Sequence, residues 1–185
     1  MSFMSSTSQY KRLDHFNELV DYLAATHACS ITEESIVAIN AKMVELDIKP
    51  TALTFNNMSD ILRSIGLSKY LEDIPYLMQK LGGYEPPVFL QELRERLQTM
   101  FKAVSLTNTA ARGHVCPMNN NYVLLKLLQI LNETNLMYMC MQHIPLLNQN
   151  AKWVAHDEMW HDVCITNDWP FYGDTATTIN SNSQK

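Results

Sequence analysis

The stretch from Phe55 to Met78 constrains this chain most. Ile61, Leu62 and Ile65 recur at helical spacing, Gly66 suits the left-handed position after a helix, and Ser68 can cap a second helix. The spacing therefore predicts two short helices meeting at a corner, the second running from Ser68 to about Leu81. Pro75 falls inside that second helix. Its missing N–H is tolerated only in a first turn, so the helix either breaks near Asp73 or restarts at Ile74. A weaker copy of the unit falls near residues 119 to 147, and the flanking regions read as helices that cover the two copies.

At 185 residues, 46% of them hydrophobic, the chain can bury a substantial core. Five glycines and seven prolines are few for a turn-rich β-sandwich, which leaves an all-α fold: a compact multi-helix bundle. Eleven methionines read as adaptable core filling, with a partner-binding surface as the sharper alternative. The net charge of −5 argues against autonomous duplex binding, because phosphate neutralisation needs a basic excess. No run of apolar residues is long enough to span a membrane, and the Ser-rich opening lacks the apolar centre of a signal peptide. Cys29, Cys116, Cys140 and Cys164 are far apart and read as reduced thiols of an intracellular protein.

Taken in order, residues 1–11 read as a flexible lead-in, and residues 12–174 as a single helical domain. Leu13, Phe16, Leu19, Val20 and Leu23 mark a first helix to Ala25. Ser30-Ile31-Thr32-Glu33 matches a capping box, and Ile36, Val37, Ile39, Met43, Val44 and Leu46 continue to about Asp47. Thr54 or Asn56 is the expected cap of the central unit. Next comes a helix from Pro87 or Val88 to about Val104, with Leu90, Leu93, Leu97, Met100, Phe101 and Val104 as its apolar face. Residues 105–118 show no period and read as a linker between submodules 31–104 and 119–172. Asn119-Asn120-Asn121 can cap Tyr122–Leu131, a helix so apolar that only Lys126 and Gln129 are plainly polar; it should be buried nearly all round. Asn135 starts the next helix, to about Leu147. The last covers about Gln149 to Asn167, with Trp153, Val154, Trp160, Val163 and Cys164 as its apolar face. Composition predicts disorder over 175–185.

The two halves share short matches: Asn56-Asn57-Met58 with Asn120-Asn121-Tyr122, and Ile74-Pro75 with Ile144-Pro145. If they mark a repeat, two related helical modules stand in tandem. Such a pair is similar in plan to the cyclin-like repeats of transcription factor IIB, a fold-level analogy.

No phosphate loop, nucleophile elbow or metalloprotease motif is present. On a helix Asp157 and His161 share a face, as do His161 and Cys164, so the three are the one candidate metal set. Against it stands the plainer reading of a core cysteine beside surface acids and histidines, and neither metal nor cofactor is expected. Tyr70, Tyr76, Tyr84 and Tyr122 could stack on bases but lack basic context, which favours packing. Arg63, Lys69, Lys80, Arg94, Arg96 and Arg112 could form a phosphate- or partner-facing patch, or an ordinary solvated surface.

Two blocks carry a resemblance. Ile61–Leu77, with Leu81-Gly82-Gly83 and Pro86-Pro87, resembles the central block of the poxvirus late transcription factor three-like family of large DNA viruses. Asn121–Leu128, then Ile144–Leu147, Asp157–Cys164 and Asp168–Phe171, resembles its C-terminal block in the same order. The resemblance implies a non-enzymatic factor for viral late-gene transcription, working at replication sites in the cytoplasm or viral factory. It implies RNA polymerase subunits or other late factors as partners, DNA as a weaker contact, and no membrane. No clustered cysteines precede the first block, where the zinc-binding members carry theirs, and the segment 132–142 is longer than the family's corner. The alternative is a virion structural or assembly protein contacting capsid proteins, motivated by the Met-rich stretch 136–141.

Overall fold

The computed structural model describes residues 6–26, 30–112, 118–143 and 150–173, with side chains described for 11–26, 30–107, 118–143 and 154–173. Among these residues the chain is all-α, with eight helices and no strand. It divides into two units, Glu18–Phe89, and Met1–Asn17 together with Leu90–Lys185.

In the unit Glu18–Phe89, α2 (Glu33–Glu45), α3 (Phe55–Ser64) and α4 (Ile74–Lys80) enclose one core. Ile36, Ile39 and Met43 of α2 meet Met58, Ile61 and Leu62 of α3 and Ile74, Leu77 and Met78 of α4. The corner forms as the spacing predicts, with one refinement. Ser68–Asp73 coil as a 3-10 helix, and α4 restarts at Ile74 with Pro75 in its first turn. Before that, Gly66 at φ 74° lets the Leu67 N–H reach Leu62 O at 2.8 Å, closing α3. Thr54 caps α3 in a capping box, its hydroxyl accepting from Asn57 N while its own N–H donates to Asn57 Oδ1 at 2.7 Å. The cap of α2 is Thr32, not Ser30, because Ser35 N–H finds the Thr32 hydroxyl at 3.3 Å. Of its predicted apolar face only Ile36, Ile39 and Met43 are buried; Val37, Val44 and Leu46 face out.

The helices of the other unit are α5 (Gln91–Arg112), α6 (Asn120–Ile130), α7 (Thr134–Met141) and α8 (Asn150–Asn167). The first turns of α1 (Ser6–Leu23) also belong here, the division between units falling within that helix. Residues 6–11, which read as a lead-in, are the first turns of α1. Further along α1, the Phe16 and Phe101 rings stack at 4.2 Å, and the Arg12 guanidinium lies over Phe101 and donates to Met118 O. The C-terminal tail from Asp174 lies outside the described residues.

Two boundaries in this unit differ from expectation. Residues 84–90 carry no regular structure, and α5 starts at Gln91, later than the prolines at 86 and 87 suggest. It then runs to Arg112, through most of the stretch that reads as a linker. Ser105 and Thr107 are buried; Thr107 donates to Ala103 O at 3.1 Å and accepts from Asn167 Nδ2 at 3.1 Å, which satisfies a polar turn inside the unit. Leu97, Phe101 and Val104 are buried on α5, whereas Leu90 is exposed. On α7 Met137 is buried and Met139 and Met141 are half-buried, so the Met-rich stretch presents no open methionine face.

Candidate functional site

Helix α6 is buried from Tyr122 to Leu128, and that run includes a lysine. Asn119 caps it, its side chain accepting from Asn121 N at 2.8 Å and Tyr122 N at 3.4 Å. The cap is itself held from α8, since Asn119 N–H donates to His156 Nε2 at 3.1 Å. This fixes the height at which Tyr122 and Lys126, one turn apart, meet α8.

The Lys126 side chain is only 1% exposed. An ammonium removed from water this far must find replacement partners. Lys126 Nζ donates to Tyr172 O at 2.7 Å and lies 3.2 Å from Asp157 Oδ1. The Tyr122 and Phe171 rings also face it, with centroids at 5.5 and 6.0 Å. Asp157 Oδ1 also accepts the Tyr122 hydroxyl at 2.6 Å. Burial first, then that bond to Asp157, pushes the Tyr122 hydroxyl well above its usual range, so it keeps its proton.

The node fastens the segment after α8. Asp168 turns the chain at φ 55°, Trp169 N–H closes the helix on Cys164 O at 2.9 Å, and Trp169 packs on Trp160. The Cys164 thiol reaches Pro170 O at 3.6 Å, and Phe171 stands edge-on to His161. Lys126 then grips Tyr172 O. Four successive residues are thereby strapped over α6 and α8.

In chemical terms the described groups of the node are engaged with one another. Its cation is paired, and its phenol is bound to a carboxylate. Burial lifts the Cys164 thiol from its ordinary 9 to about 11, Lys126 opposing the rise, so the sulfur is a thiol at neutral pH and a poor nucleophile. Beside the strap a shallow depression of about 590 Å³ opens, edged by Val154, Asp157, Glu158, His161, Asp162 and Phe171 among others.

The candidates drawn from the sequence are dispersed. Asp157, His161 and Cys164 do not converge: Asp157 turns to Tyr122 and Lys126, Cys164 to Pro170, and His161 to Phe171. No group of three or more His, Cys, Asp or Glu among the described residues is arranged to hold a metal ion. Arg63, Lys69 and Lys80 belong to the unit Glu18–Phe89. There Arg63 lies 3.7 Å from Asp60, Lys80 lies 3.7 Å from Glu33, and Lys69 sits over the Tyr70 ring at 4.7 Å. Arg94 and Arg96 stand on α5, half-buried and exposed; the side chain of Arg112 lies outside the described residues. Tyr70 and Tyr122 are buried, and the half-buried Tyr84 donates to Leu23 O at 2.8 Å. Val154 is exposed and not part of the apolar face of α8.

What the sequence left unread is Lys126 as the centre of a site. Its signal was present: a single charge inside an otherwise apolar helix must be paired, and pairing needs a carboxylate elsewhere in the chain.

Fold and site together define an all-helical protein whose central charged node is a clasp and whose described depressions are shallow and open. No described helix is long and apolar enough to cross a membrane. The chain belongs to the family described as Poxvirus Late Transcription Factor VLTF3 like, which it matches over residues 3–171. It is 29% identical over 177 residues to a protein of Acanthamoeba polyphaga mimivirus named "Putative transcription factor R429", covering 91% of this chain and 38% of the relative. It is 26% identical over 168 residues to "Putative transcription factor A494R" of Paramecium bursaria Chlorella virus 1, covering 88% and 45%. The chain thus spans less than half the length of these relatives. No solved structure matches it, so the analogy to tandem cyclin-like modules gains no support.

Proposed function

We propose that this chain is the helical body of a viral late-gene transcription factor. It acts by protein contacts with the viral RNA polymerase or with other late factors, DNA being a weaker, secondary contact. It works without catalysis, at the sites of viral replication. The observation that carries the reading is the family match from residue 3 to residue 171, which spans both structural units. The chemistry of the clasp agrees with it: the charged groups that meet in the C-terminal unit are bound to one another, and the depressions beside them are too open to enclose a small substrate. The net charge of −5 favours protein partners over duplex DNA as the principal contact.

Depleting the protein during infection should lower late transcripts while early transcripts persist. Late transcripts at their normal level after depletion would count against the reading.

A further inference from the structure

Helix α5 and the C-terminal end of α6 leave a depression of about 640 Å³ between them, within the C-terminal unit. Met100, Ile130, Leu131 and Trp169 line it and are each only half-buried. Four apolar side chains side by side, left partly wet by the fold, are a surface that gains by being covered. The depression is open and shallow, which suits side chains projecting from a protein segment better than an enclosed small molecule.

Its charge selects the partner. Glu92 and Glu95 line the same depression, and Arg96 is the one cation among the described lining residues. Asp168 precedes Trp169 in sequence and Glu133 stands two residues beyond Leu131; both are exposed. Carboxylates around an apolar floor repel phosphate and attract ammonium and guanidinium groups.

We infer that the α5–α6 depression receives a segment of a partner protein that carries a large aliphatic or aromatic anchor flanked by lysine or arginine. The anchor covers Met100, Ile130, Leu131 and Trp169, and the flanking cations face Glu92 and Glu95. Nucleic acid is disfavoured on this face. The inference deepens the protein-contact reading of the proposed function and rests on it for the identity of the partner.

The test is a titration of the full chain with two labelled helical peptides bearing the same leucines, one with lysines and one with glutamates at the flanking positions, read by fluorescence anisotropy. The lysine peptide should bind with saturation and change the tryptophan emission of the chain, and the glutamate peptide should not bind. Glu92→Lys/Glu95→Lys alters exposed positions only and should weaken the lysine peptide about tenfold. Glu34→Lys/Asp60→Lys makes the same change in net charge in the other unit and should leave that affinity within about twofold. Equal binding of the two peptides, equal weakening by both double variants, or displacement of the lysine peptide by a DNA oligonucleotide would overturn the inference. Each of those results leaves the late-transcript experiment to stand by itself, and normal late transcripts after depletion would leave the depression as a peptide site of another kind.

Discussion

Lys126 shows how one residue can set the design of a whole unit. Its ammonium, 1% exposed, is tolerated because Asp157 and the Tyr172 carbonyl stand where water would. Removing Asp157 leaves the ammonium to bear the cost of burial with one charge partner gone. Asp157→Asn, which strands the cation, should destabilise by about 3 kcal/mol. Lys126→Met, which leaves a carboxylate still bonded to Tyr122 and partly wet, should cost less, about 1–2 kcal/mol. The double variant should be more stable than the sum of the two predicts by at least about 1 kcal/mol, as urea melts would show. Additive effects would mean the pair is not coupled. Titratable groups beyond the node shape the alkaline limit. Burial raises the Cys140 thiol from 9 to about 12 and Cys164 to about 11; burial and Glu72 raise the Tyr22 hydroxyl from 10 to about 12. The unfolded chain releases these protons first. Their contribution is therefore complete below about pH 9 and falls as pH climbs toward 12, by up to about 1.4 kcal/mol per unit for each group. The urea midpoint should drop between pH 8.5 and 11, and Cys140→Ala should flatten that slope; an unchanged slope would exclude Cys140 as a contributor.

At the scale of elements, six of the eight described helices share one way of stopping. Ala25, Asp47, Gly66, Gly82, Asn132 and Asp168 all have positive φ between 52° and 78°. In each case the N–H of the next residue reaches back five positions to a carbonyl at 2.8–3.0 Å. Glycine supplies this conformation at two of the six positions, including the corner at Gly66; the first two helices stop without one, at Ala25 and Asp47, where the end of the apolar spacing placed them. The pair Gly82-Gly83 divides two jobs. Gly82 takes the left-handed turn, whereas a Cβ at Gly83 would lie 2.5 Å from Pro50 O and 2.9 Å from Leu53 Cβ. Gly83→Ala should therefore cost about 2–3 kcal/mol, more than Gly66→Ala, where the added carbon meets open space and only the positive φ is strained, at about 1 kcal/mol. Equal melting temperatures for the two variants would contradict the close approach of the Gly83 backbone to the turn at Pro50. Apolar spacing and caps thus revealed the existence and order of the helices. Their ends depended on tertiary partners, as when Thr107 found Asn167 and carried α5 beyond Val104.

For the whole molecule, local pattern was informative where burial is one-sided and silent where distant segments meet. The all-helical architecture came from spacing, and the nearly complete burial of α6 from its composition. The clasp could not be read that way, since Tyr122 and Asp157 lie 35 positions apart and Lys126 and Tyr172 lie 46 apart. The same limit applies to the metal set weighed from spacing alone. Asp157, His161 and Cys164 share helical spacing, but their side chains are claimed by three different neighbours. The family resemblance was visible in ordered blocks of sequence, and the family match spans those blocks. That the chain works through protein contacts in late transcription is tested most directly by affinity capture from infected cells at the late stage, with quantitative mass spectrometry. RNA polymerase subunits and late transcription factors should be enriched together with the protein; enrichment of capsid proteins with no polymerase subunit would contradict a role in transcription through such contacts.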